Sequence, residues 1–96
     1  MQLPPALTHR TLAGIGEMSV RVREDLRIVE EQLLFQMDVV EENKTRALVA
    51  ETPLAHREFE EAQGDLQRME KARAEAQRVI SELQAEQDRL LDRMLG

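Results

Sequence analysis

The chain contains no cysteine, tryptophan or tyrosine, and only two phenylalanines among its 96 residues. Without cysteine there can be no disulfide, no thiolate nucleophile and no cysteine-based zinc site. With so few aromatics, a compact globule of this length lacks the large side chains that usually offset the ordering entropy of the backbone. No apolar run approaches the roughly 20 residues of a membrane span. The start, "MQLPPALTHR", lacks a basic stretch followed by an apolar one, so no secretory signal is expected and the expected location is cytoplasmic.

Basic charge is also in short supply. Thirteen Lys and Arg stand against nineteen Asp and Glu, a formal net charge of −6. Nucleic-acid phosphates need a basic surface, and anionic membranes need basic helix faces, so neither is an expected partner. What remains is rich in Glu, Arg, Ala, Gln and Leu, the usage of long helices and coiled coils. Such a chain is expected to complete its core with another copy or with a helical protein partner.

From Phe59 onward, one series of residues recurs at spacings of three and four. Phe59, Leu66, Arg73, Ile80, Gln87 and Met94 take one core position of a heptad, and Ala62, Met69, Ala76, Leu83 and Leu90 take the other. That pattern predicts a long coiled-coil helix. The first half reads differently: Ile15, Met18, Val22, Leu26, Val29, Leu33, Met37, Val40, Lys44 and Leu48 follow an eleven-residue repeat, which favours a straighter path. Gly14, Gly16 and the "LPPAL" before them predict an N-terminal arm over residues 1–11.

Between the two patterns lies "VAETPLAH". Thr52 suits an N-cap and Pro53 suits the first helical position, where its missing N–H costs nothing. Proline also pushes the residue before it out of helical space. The expected organisation is therefore a hairpin over residues 12–96: helix one at about 12–50, a turn at 51–52, and helix two at about 53–95. The fold class is all-α, an antiparallel two-helix hairpin that self-association or a partner completes into a four-helix bundle. The expected seam is Leu26, Val29, Leu33, Phe59, Leu66, Met69, Arg73, Ile80, Leu83 and Leu90. Folding back at the turn brings Leu33 to Met69, Arg21 to Glu82, and Arg73 level with Glu30 and Glu31.

Helix one carries further apolar residues away from that stripe. Val20, Ile28, Phe35 and Val39 predict a second face and therefore a protein interface, because a hairpin needs only one stripe on each helix. No catalytic, cofactor-binding or metal site is expected. Glu41, Glu42, Glu58, Glu60, Glu61 and Asp65 gather near the turn, but dimetal bundles use Glu-x-x-His pairs aimed inward. Neither His9 nor His56 has a Glu three residues earlier. Ser19 and Ser81 have no His and Asp partners in view, and "AGIG" lacks the lysine of a phosphate loop.

The functional expectation is a non-enzymatic coiled-coil assembly or adaptor protein that self-associates or binds a helical partner. Small acidic helical chaperones and export adaptors, such as those of type III or flagellar secretion, are the alternative. In architecture the chain also resembles the acidic-tipped hairpin regulators of RNA polymerase. That resemblance implies a hairpin end inserted into a large enzyme, but the turn "AETPLA" carries one acid, Glu51, and no metal-positioning pair.

Overall fold

A computed structural model describes the backbone of residues 5–96 and the side chains of residues 11–96. Two helices, α1 (Pro5–Ala50) and α2 (Pro53–Leu95), account for nearly all of it, and no strand occurs among the described residues. The helices pack against each other as an all-α hairpin.

Helix α1 begins at Pro5, seven residues before the expected start at residue 12. Pro5 occupies the first helical position, where proline is well tolerated. Neither Gly14 nor Gly16 takes a positive φ, so both stay in the helix instead of ending it. Of the expected arm, residues 1–4 lie outside the described residues and the rest is helical.

The turn is built from Glu51 and Thr52. Glu51 adopts φ 51°, the left-handed conformation that glycine usually supplies after a helix, and its N–H donates to the Ala47 carbonyl at 3.1 Å. Thr52 then caps α2: its Oγ1 accepts from the Ala55 N–H at 3.1 Å, and its carbonyl accepts from the His56 N–H at 3.1 Å. Two outcomes follow. Glu51→Gly is expected to raise stability by about 0.5–1 kcal/mol, because left-handed strain of about 1–2 kcal/mol exceeds the added chain entropy of glycine. Thr52→Ala is expected to lower it by about 1 kcal/mol through loss of the cap. Urea denaturation of the two variants checks both signs.

The chain divides into two compact units, Met1–Leu26 with Glu75–Gly96, and Arg27–Ala74. In the first, Ile15, Leu83 and Leu90 form a buried cluster, with Leu12, Val22 and Val79 packed against it. Leu26 and Ile80 are half-buried there. In the second, Leu33, Val40, Ala47, Ala55 and Ala62 are buried together with one polar side chain, Gln36. Val29, Phe59, Leu66 and Met69 are half-buried, while Arg73 is exposed and is not a seam residue. A long flexible guanidinium stem lets Arg73 carry its charge into water instead of burying it.

The eleven-residue reading of α1 is overturned by this burial pattern. In the first unit the sheltered positions include Leu12, Ile15, Ser19, Val22 and Leu26, with Thr11, Gly14 and Gly16 half-buried beside them; in the second they include Val29, Leu33, Gln36, Val40, Asn43 and Ala47, with Val39 half-buried beside them. Each series alternates spacings of three and four, which is a heptad. Met18, Met37, Lys44 and Leu48, all members of the eleven-residue series, are exposed. The cause lies in α2. Its apolar stripe repeats every seven residues, and a helix lying along it must present the same period. Polar residues are then drawn into the seam and satisfied there. Gln36 Nε2 donates to the Ala62 carbonyl at 3.0 Å, and Asn43 Nδ2 donates to the Val39 carbonyl at 2.8 Å.

Gly64 lies within α2 without a positive φ. A β-carbon there meets only the flexible Arg68 guanidinium, at 3.6 Å, and no atom of α1 within 4 Å. Close approach of α1 therefore does not account for this glycine. Gly64→Ala is expected to raise stability by about 1 kcal/mol, the helix-propensity difference. A rise in thermal midpoint of the single variant checks it.

Candidate protein-interaction surface

The unit Arg27–Ala74 has a marked asymmetry between its two helices. On its part of α2 the exposed residues are mostly polar, among them Glu60, Gln67 and Arg68, with Leu54 the large apolar exception. On α1 the exposed residues include Ile28, Leu34, Phe35, Met37, Leu48 and Val49. Phe35 is 71% exposed and Leu34 68%, although each lies within two residues of a buried seam position. Scattered exposed leucines are ordinary on protein surfaces. Here the apolar residues recur with helical spacing. Ile28 and Phe35 are seven residues apart and share a face, which Val39 continues toward the seam at half-burial.

Of the four residues expected to form the interface, Ile28 and Phe35 are exposed, Val39 is half-buried, and Val20 is exposed in the other unit. Leu34, Leu48 and Val49 were not expected at the interface: Leu48 was placed in the eleven-residue series, and Leu34 and Val49 were left unweighed. Aligning α1 to the heptad of α2 places all three outside. Beside Val49 a shallow, open groove is lined by Glu41, Glu42, Thr45, Arg46 and Ala50.

Charge on this stretch is one-sided. From Ile28 to Asn43 there are five carboxylates, Glu30, Glu31, Asp38, Glu41 and Glu42, and no Lys or Arg. Arg27, just before it, donates to Glu31 at 2.6 Å. Arg46, just after it, lies 3.7 Å from Glu58 across the hairpin. These pairs are exposed and contribute little to stability. The expected facing of Glu30 and Glu31 with Arg73 is not seen, since Glu31 bonds Arg27 along its own helix.

In the other unit, Glu82 likewise bonds Arg78 on its own helix, not Arg21. Arg78 also donates from Nε to Glu75 at 3.0 Å, and that hydrogen bond holds the Glu75 carboxyl below the usual carboxylate range. Both groups are exposed.

Among the described residues no group of three or more His, Asp and Glu side chains is placed to hold a metal ion. The polar groove between the helices, lined by Gln36, Asn43, Arg46, Glu58, Glu61 and Asp65, offers hydrogen-bonding groups but no nucleophile beside a base. His56 is exposed in the first turn of α2. No described helix is long and apolar enough to cross a membrane. Comparison with protein-family models, with curated proteins and with solved structures finds no match.

Proposed function

We propose that this chain is a non-enzymatic assembly or adaptor protein, a preformed helical hairpin that takes up a further helix on the outer side of α1 and so completes a larger bundle. The observation that carries this reading is the exposure of Phe35, together with Ile28 seven residues before it, on a helix whose seam is already occupied. Helix-in-groove recognition uses this kind of stripe, with apolar anchors spaced by three, four and seven residues. Burying Phe35 alone is worth roughly 1.5–3 kcal/mol of transfer free energy.

Surface area supports the same reading. The accessible surface is 7301 Å². A folded monomer of 11.1 kDa is expected to show about 5,700 Å². The difference, about 1,600 Å², exceeds the roughly 800 Å² that each partner contributes to a standard interface. An isolated helix pair exposes more than a globule does, so the excess leaves room for a partner without identifying one.

The test compares the wild-type chain with Ile28→Glu/Phe35→Glu as tagged baits in the source cells, with helicity recorded on both. A helix-containing protein, or a second copy of the chain, recovered stoichiometrically by the wild type and lost from the equally helical variant is the expected result. Identical recovery by both baits overturns the proposal.

A further inference from the structure

We infer that the helix taken up by this face is a basic amphipathic one, with Lys and Arg flanking its apolar stripe, and not a second copy of this chain; the inference rests on the proposed binding role of α1. The apolar anchors and the carboxylates of α1 share one period. Ile28 and Phe35 are seven residues apart, and so are Glu31 and Asp38, each three residues further on. At about 100° of rotation per residue, each of those acids sits about 60° around the helix from its apolar neighbour. Glu42, seven residues after Phe35, falls on the same face as Phe35 itself.

Any helix covering Ile28 and Phe35 therefore runs along carboxylates with no Lys or Arg between Ile28 and Asn43, Glu31 being paired with Arg27 and Asp38 and Glu42 lying further along. A second copy docked in parallel sets each acid against its own counterpart. Docked antiparallel about the middle of the stretch, it sets Glu30 against Glu41 and gives none of the other acids a basic residue directly opposite. Like charges brought together at the rim of an apolar contact select against that pairing. A helix carrying Lys or Arg beside its apolar residues satisfies the stripe and the charge row together, and its approach is steered by the same field. Nucleic acid and anionic lipid, which need a basic face, fit this surface in neither respect.

The experiment uses the full chain and two synthetic helical peptides with identical apolar residues, one bearing Lys at the flanking positions and the other Glu. Calorimetric titration at low and high salt reads the affinities. The basic peptide is expected to bind at least about tenfold more tightly than its acidic twin, with the gap narrowing as salt rises. Asp38→Lys/Glu42→Lys is expected to reverse the preference, and Phe35→Glu to abolish binding of both peptides with helicity unchanged. Equal affinity for the two peptides, or a preference that survives the charge reversal, overturns the inference but leaves an apolar docking face standing. A dimer of the free chain that Phe35→Glu dissociates also overturns it, because the second copy is then the occupant. Failure of the basic peptide to bind overturns it as well, and the broader reading falls only if the bait comparison shows no dependence on Ile28 and Phe35.

Discussion

Leu33→Ala is expected to lower the unfolding free energy by about 2–3 kcal/mol, whereas Leu34→Ala, one residue along, should change it by no more than about 0.5 kcal/mol. The two leucines have the same chemistry and adjacent backbone positions, but Leu33 is 4% exposed and Leu34 68%. Truncating Leu33 removes apolar contact and leaves a cavity that two stiff helices close poorly. The lower part of the usual range applies because none of the described side chains is completely enclosed. Even so, the loss is a large share of the 5–15 kcal/mol or so that holds a typical domain together. Urea denaturation of both variants measures it. Equal losses at the two positions would contradict the heptad assignment of α1.

The second large effect concerns Gln36, the buried polar residue whose amide donates to the Ala62 carbonyl. Gln36→Glu keeps the shape and removes the donor. At neutral pH it places a carboxylate against a carbonyl oxygen in a sheltered seam, at an expected cost of about 2–3 kcal/mol. Burial and the facing oxygen raise the folded-state pKa of the new carboxyl above its unfolded value of about 4.3. Native structure is therefore favoured most at low pH, below that unfolded value, where the carboxyl is protonated and can itself donate to Ala62. The deficit grows as pH rises through the elevated folded-state value. Measured against wild type, the stability gap should be small near pH 4 and fully open at pH 7. Gln36→Leu acts in the opposite sense. Ala62 lies inside α2, whose own ladder already uses its carbonyl, so no acceptor is stranded and stability should hold or rise by about 1 kcal/mol. A polar seam residue of this kind trades stability for a fixed register.

The hairpin itself was legible in the residues, and the reason is local. Thr52 and Pro53 state a helix start that no neighbouring contact needs to enforce. Leu83 and Leu90, both expected in the seam, are buried because the α2 stripe has a clean seven-residue period. Helix α1 was harder. Its apolar residues are spread around most of the circumference, so hydrophobicity alone could not say which stripe faces inward. Met37 and Leu48 fell in the eleven-residue series, and Gln36 and Asn43 did not. The choice is made by the period of the opposing helix and by the hydrogen bond from Gln36 to the Ala62 carbonyl of α2, neither of which is written in α1.

The N-terminal boundary failed for a related reason. Gly14 and Gly16 read as breakers, yet each costs only about 1 kcal/mol inside a long cooperative helix. At the candidate interface, Phe35 was identifiable because an aromatic off the main stripe is rare in so aromatic-poor a chain. Arg73 was misplaced because a strict heptad count ignores the freedom of a long charged side chain.

Sedimentation equilibrium over a wide concentration range, with helicity recorded on the same samples, tests most directly the claim that one chain closes its own seam and keeps the outer side of α1 for a different, basic helix. The account predicts monomer mass at every concentration, with helix content independent of dilution. A dimer or tetramer whose helicity is lost when it is diluted to monomer would contradict it, because the seam would then need a second copy to form.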